Sequence, residues 1–134
     1  MENVKIVIRF ADGRIIKGST QDFSANKPLF HLHPHDTGIS KEGIEILVKD
    51  LKAVFFVRDF EGDSQYKERK QFLEGERPSG RTVAITFKDG EVLVGSTLAY
   101  DRRRPGFFLF PVDSQGNNLR VFAVSKAIRH VRYL

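Results

Sequence analysis

Three histidines, His31, His33 and His35, stand at alternate positions near the end of a predicted strand. Side chains two residues apart in a strand emerge on the same face, so these imidazoles have the arrangement of a transition-metal site. Pro34 disturbs the end of this strand, and Asp36 is the one nearby carboxylate that could act as a fourth ligand. We therefore favour a surface strand that carries histidines, and we predict no metal or other cofactor.

Three consecutive arginines, Arg102, Arg103 and Arg104, lie in a predicted loop between two strands. Guanidinium groups on a loop tip can contact phosphates, and Tyr100 and Phe107 are close enough in sequence to stack on bases. This pattern makes single-stranded RNA or DNA an alternative ligand. A solvated basic turn is the commoner role of such a run.

No catalytic constellation occurs in the sequence. The absence of cysteine excludes a disulfide framework, cysteine-ligated zinc and a thiol nucleophile. The serine-hydrolase, zinc-protease, Walker and Rossmann motifs are also missing. Asp12 and Asp89 each precede a glycine at a predicted turn, which indicates a structural role. We expect neither an enzyme nor a small-molecule substrate.

The composition is that of a globular protein, with 40% hydrophobic and 29% charged residues in a chain of 134. No apolar run approaches the roughly 18 residues of a membrane span. The first residues lack the features of a signal peptide, so a cytoplasmic protein is expected. The net charge of +5 arises mainly in residues 81–134, and a basic surface favours acidic partners.

An internal repeat dominates the sequence. Residues 6–13 align with residues 83–90, and the match continues without a gap to Asp36 and Asp113, at an offset of 77. Beyond that point the sequence suggests a longer loop in the first copy, with residues 52–54 opposite residues 126–128. We divide the chain into a first repeat at 1–60, a charged linker at 61–80 and a second repeat at 81–134.

Each repeat is predicted to form five short strands. Ile6, Ile8 and Phe10 alternate with more polar residues, and the Asp12-Gly13 pair is typical of a tight hairpin turn. Gly18 and Gly95 indicate a bulge or bend in the second strand of each copy. The remaining strands are predicted at 29–33, 44–49 and 53–58, with counterparts at 107–110, 119–124 and 127–133 and a 3₁₀ turn before each fifth strand. Two tandem closed antiparallel barrels result.

The linker is predicted to contain a short helix. Ser64 is a suitable N-cap for a helix over residues 65–74, and Gly75 is a suitable residue to end it.

Phe108 and Phe110 occupy the positions that His31 and His33 hold in the first repeat. Because Phe30 and Phe107 mark the opposite face as the common core, we expect Phe108 and Phe110 on the outer face. Exposed neighbouring aromatic residues usually mark an interface. They are predicted to pack against the other repeat or a second subunit, unless the bent strand has two partly interior faces.

The order of strand, Asp-Gly turn, glycine-bent strand, apolar strand, variable loop, strand, short turn and strand resembles the Sm-like (Hfq and Lsm) branch of SH3-type small barrels. This resemblance implies RNA binding through the loop after strand two and a basic-glycine pair before strand five. Here Asp50-Leu51-Lys52 and Ser125-Lys126 replace that pair. Residues 53–62 are also similar to a segment of uncharacterised bacterial proteins.

Together these features predict a non-enzymatic binding or adaptor protein. Its expected ligand is another macromolecule, through a protein partner or self-association. Single-stranded nucleic acid at Arg102, Arg103 and Arg104 is the alternative.

Overall fold

The computed structural model describes residues 3–35, 43–62, 65–76 and 78–134. Their elements are β1 (Val4–Phe10), β2 (Ile15–Thr20), β3 (Leu29–Pro34), β4 (Ile44–Leu47), a 3₁₀ turn (Val48–Asp50), β5 (Leu51–Val57), β6 (Arg81–Phe87), β7 (Val92–Thr97), β8 (Gly106–Pro111), β9 (Asn118–Val124), a second 3₁₀ turn (Ser125–Ala127) and β10 (Ile128–Tyr133). The all-β prediction is confirmed, and every strand pair is antiparallel. Nothing in these ranges is a helix of the length and apolarity that crossing a membrane requires.

The ten strands form a single open sheet in the order β10-β6-β7-β8-β9-β5-β1-β2-β3-β4. The prediction of two separately closed barrels does not describe this pairing. The last strand of the first half, β5, pairs with β9 of the second half, so the hydrogen-bonded ladder continues from one half to the other. We call this β5–β9 pairing the inner joint.

The inner joint forms because six of the seven residues of β5 are apolar and lie on both of its faces. All seven of its residues are buried. Val54 and Phe56 belong to the core of the first half, whereas Ala53 and Phe55 belong to the core of the second half. A strand that is buried on both faces needs hydrogen-bonding partners on both edges, which β1 and β9 provide.

The strand registers of the two halves correspond at an offset of 77 residues throughout. Phe30 pairs with Ile46 in the first half and Phe107 pairs with Ala123 in the second, which keeps the offset beyond the predicted gap. The prediction of a longer loop in the first copy is therefore wrong, because residues 52–54 correspond to residues 129–131. The alignment from sequence is misplaced by three residues, because Lys52-Ala53-Val54 happens to be similar to Lys126-Ala127-Ile128.

Gly18 and Gly95 do not form bulges. Gly18 pairs with Ile6 in an unshifted register, and the irregularity lies instead between Arg9 and Phe10 in the pairing with β5. A Cβ atom on Gly18 would overlap the carbonyl oxygen of His33 and lie 2.8 Å from a Leu32 methyl carbon. Glycine is therefore required here by the close approach of the neighbouring strand.

The helix predicted over residues 65–74 is also wrong, and its proposed N-cap, Ser64, lies outside the described residues. The linker forms turns and extended chain because it binds the second half through a buried carboxylate. Asp113 accepts hydrogen bonds from the Tyr66 hydroxyl at 2.6 Å and from the Arg69 amide at 3.0 Å. In a helix the Arg69 amide would instead donate to the carbonyl of residue 65, so it would not be available to Asp113.

One outer edge of the sheet differs in chemistry from the inner joint. The positions of Ala53 and Phe55 in β5 are taken in β10 by His130 and Arg132, and both are exposed. If β10 paired with β4 of another copy as β5 pairs with β9, these polar side chains would enter an apolar core. Burying them without partners would be strongly unfavourable.

The opposite edge also carries a charge. Glu45 of β4 stands where Phe122 stands in β9, because β3 pairs His31 with Glu45 and β8 pairs Phe108 with Phe122. Phe122 is buried and Glu45 is exposed. Charged residues on edge strands prevent edge-to-edge association. The two outer edges are thus protected against repeating the inner joint.

We predict that the triple variant E45F, H130A and R132F forms head-to-tail oligomers, because it gives the outer edges the residues of the inner joint. Light scattering should show a mass that rises with concentration for this variant, compared with wild type. Lys67→Phe with Lys70→Ala, which changes an exposed part of the linker, is the control. An unchanged mass for the triple variant would contradict the prediction.

We also predict that Asp113 contributes stability that depends on pH. The hydrogen bond from the Tyr66 hydroxyl, followed by that from the Arg69 amide, lowers the pKa of the Asp113 carboxyl. Such a group stabilises the fold above its unfolded pKa of about 3.9, and this contribution is lost as the pH falls through the folded pKa. Asp113→Asn should therefore be less stable than wild type at neutral pH in urea unfolding.

The difference in stability between Asp113→Asn and wild type should shrink below a pH of about 4. Asp59→Asn, which changes an exposed carboxylate, is the control. An equal destabilisation by Asp113→Asn at neutral and acid pH would mean that its carboxylate charge does not matter.

Candidate functional site

The arginine loop is a tight turn that precedes β8. The Arg104 amide donates to the Asp101 carbonyl at 3.1 Å, and the Arg103 amide donates to the Asp101 carboxylate at 3.0 Å. The Ser125 hydroxyl donates to the Arg104 carbonyl at 2.7 Å, which fixes the loop to the second 3₁₀ turn. The loop is therefore held at both ends, while Arg102, Arg103 and Arg104 are exposed.

This loop borders a groove of about 650 Å³ between the two halves, which we call the basic groove. Most of its lining consists of residues that correspond at the offset of 77. These pairs are Pro28 and Pro105, Leu47 and Val124, Val48 and Ser125, and Lys49 and Lys126. Arg102, Arg103 and Arg104 complete the lining. The groove is thus formed by the same elements of both halves, with the arginines added by the second half alone.

The charge of the basic groove is entirely positive. None of its lining residues is acidic. Arg103 forms an ion pair with Asp101, and the hydrogen bond from the Arg103 side chain lowers the pKa of the Asp101 carboxyl. Across the described part of the chain, Lys49, Arg102 and Lys126 have no ion pair. These cations are available to an anionic ligand.

The surface between these cations is apolar. Pro28, Leu47, Val48, Pro105 and Val124 line it, and no aromatic side chain is among the lining residues. A ligand in this groove would meet aliphatic contacts as well as positive charge. Among the lining residues of the groove, no aromatic ring is available on which a base could stack.

A second basic depression adjoins the groove. It has a volume of about 400 Å³ and shares Arg102 and Ser125 with the groove, and Tyr100, Arg129 and His130 also line it. The positively charged surface therefore extends from the inner joint to β10. Tyr100 gives this extension the aromatic ring that the groove lacks.

Phe108 lies in the junction between the two halves. Its ring centroid is 5.9 Å from that of Phe56 and 5.3 Å from that of Phe122, and the Arg120 guanidinium lies 4.5 Å from the Phe108 centroid. Phe110 is half-buried, and its backbone pairs with Ser96. The structure thus places Phe108 against the first half. Binding of a partner at Phe108 and Phe110 stays a prediction.

The three histidines have separate environments. His31 bonds through Nδ1 to an Asp22 carboxylate oxygen at 2.7 Å, and the His35 ring lies 4.3 Å from the Phe60 ring. His33 stands in β3 opposite Ser19. Within the described ranges, no three side chains of the metal-binding types come together. Asp36, the proposed fourth ligand, lies outside those ranges.

Sequence reasoning found the arginines of the groove but missed its lysines and its apolar surface. The sequence pattern places Lys49 in a predicted strand and Lys126 in a predicted turn. They are equivalent residues at the offset of 77, which the misplaced alignment hid. The groove itself depends on the inner joint, and the repeat pattern contains no signal for that pairing.

Comparison with known proteins adds a family assignment. No curated protein and no solved structure matches this chain. A family model described as a family of unknown function, DUF6982, matches residues 2–134. Since the match covers nearly the whole sequence, the chain belongs to the DUF6982 family.

Proposed function

We propose that this chain is a cytoplasmic, non-enzymatic binding protein whose basic groove takes an acidic segment of a partner protein. The observation that carries this proposal is the combination of five cationic side chains with an aliphatic surface and no acidic lining residue. A peptide with acidic and apolar side chains complements both properties. The groove volume of about 650 Å³ suits several such side chains.

The geometry favours a peptide over a nucleic acid in the groove. Carboxylates can bond to Lys49, Lys126 and the arginine loop, while aliphatic side chains contact Leu47 and Val124. Nucleic acid would leave that aliphatic surface uncovered, because non-specific single-strand binding relies on aromatic stacking. Protein binding also agrees with the absence of a catalytic motif from the sequence.

We further propose that each half is a small barrel-like unit related to the Sm-like and SH3-like folds. The Asp-Gly turns, the strand order within each half and the 3₁₀ turn before each fifth strand support this relationship. Gly13 and Gly90 both adopt positive φ in their turns, as the hairpin pattern requires.

Single-stranded nucleic acid is the second candidate ligand. It is favoured by the depression that adjoins the groove, where Tyr100 lies with Arg102, Arg129 and His130. An aromatic ring among cations is the usual combination for a sequence-tolerant single-strand site. This site would be centred on β10 rather than on the inner joint.

We predict that Lys49→Glu with Lys126→Glu weakens binding of a fluorescein-labelled peptide of alternating aspartate and leucine by about tenfold or more, since repulsion replaces attraction at two sites. Fluorescence anisotropy measures the Kd. Lys5→Glu with Lys67→Glu changes the net charge equally at exposed positions that do not line the groove, and it should change the Kd by less than about twofold. Equal weakening by both variants would indicate non-specific attraction.

We predict that a twelve-nucleotide oligothymidylate binds more weakly than the peptide at physiological salt. If nucleic acid is the ligand, its affinity should instead fall steeply with salt and drop for the triple variant with Arg102, Arg103 and Arg104 changed to alanine. Tyr100→Ala should then weaken oligonucleotide binding and leave peptide binding unchanged. Titrations at two salt concentrations distinguish the two ligands.

A further inference from the structure

A further cavity, of about 270 Å³, is lined mostly by the second half and shares no lining residue with the basic groove. The linker segment 68–70 borders it. Phe55 of the inner joint, Leu93, Leu109 and Val121 provide apolar walls. We call it the Arg9 cavity, because Arg9 of β1 also lines it.

Arg9 has a hydrogen-bond donor without an acceptor. Its Nε is the single buried side-chain nitrogen or oxygen in the described part of the chain that has no hydrogen-bond partner. Buried polar groups in native proteins are almost always bonded to protein, water or ligand. The guanidinium lies 5.2 Å from the centroid of the Phe55 ring, and 41% of the side chain is exposed, so a ligand can reach Nη1 and Nη2, although Nε itself is buried.

The acidic residue nearest to this guanidinium is bonded elsewhere. Nη1 of Arg9 lies 4.0 Å from a Glu91 carboxylate oxygen, at the limit of an ion pair. The same oxygen accepts a hydrogen bond from Lys52, whose side chain is almost entirely buried. The accessible edge of the Arg9 guanidinium, formed by Nη1 and Nη2, has no hydrogen bond within the described ranges. This edge has the geometry for bidentate binding of a carboxylate.

We propose that the Arg9 cavity binds a small molecule with one carboxylate and a short apolar tail. The carboxylate accepts hydrogen bonds from Nη1 and Nη2 of Arg9, and the tail contacts Phe55, Leu109 and Val121. The volume of about 270 Å³ lies just below the usual range for ligand pockets of about 300–1,000 Å³. A ligand of a few carbon atoms therefore fits, and a nucleotide-sized cofactor does not.

Hexanoate is the probe for this proposal. In a titration of the full chain followed by NMR, the signals of Phe55, Leu109 and Val121 should shift saturably. Hexylamine has the same tail with the opposite charge and should cause no saturable shift of these signals. If hexanoate leaves them unchanged, or shifts only signals of the basic groove, the proposal is wrong.

Variants test the role of the arginine. Arg9→Met keeps the length of the side chain and removes the donors, and Arg9→Lys keeps the charge and removes the paired donors. Each should weaken hexanoate binding about tenfold or more, which corresponds to at least one lost charge-assisted hydrogen bond. Arg14→Met, at an exposed arginine of the same hairpin, should leave the Kd unchanged. Unaltered binding by folded Arg9→Met or Arg9→Lys would overturn the proposal.

The groove variant with Lys49→Glu and Lys126→Glu separates this site from the proposed peptide site. It should bind hexanoate with the wild-type Kd. Loss of hexanoate binding in this variant would show that the anion is held by the groove, and it would overturn the assignment to Arg9.

Discussion

The pairing of β5 with β9 is the interaction on which the rest of the structure depends. β5 supplies Val54 and Phe56 to the core of one half and Ala53 and Phe55 to the core of the other. Neither core is complete without this strand, because each would lose one wall. The two halves therefore stabilise each other, which compensates for the small amount of apolar surface that a unit of this size can bury alone. The absence of cysteine makes this mutual packing more important.

Both candidate sites follow from the inner joint. Since β5 and β9 are antiparallel, the start of β5 lies beside the end of β9, and the two 3₁₀ turns next to these ends are brought together. This brings Lys49 and Lys126 to the same groove. Phe55 and Val121, which pair across the joint, form part of the wall of the Arg9 cavity. Both candidate sites are thus properties of the joined halves and are absent from either half alone.

Much of the fold could be predicted from residue spacing. The alternation of Ile6, Ile8 and Phe10 and the two Asp-Gly turns indicate antiparallel strands, because these signals are local. The partner of β5 could not be predicted, since an apolar strand carries no information about which edge it joins. The prediction of a helix in the linker is wrong for a related reason. Asp113, a distant residue, binds the donors that the local pattern assigns to a helix.

The same joint explains why the halves have diverged at particular positions. A residue of β5 that contacts the second core must be apolar, but its counterpart in β10 faces solvent, so Phe55 corresponds to Arg132. Arg9 lies beside the second half, whereas its counterpart Thr86 has no third unit to contact. Duplication alone would give two equal surfaces. Joining the copies through one internal edge makes them unequal, and the unpaired donor of Arg9 lies on β1 beside that edge, opposite Ala53 of β5.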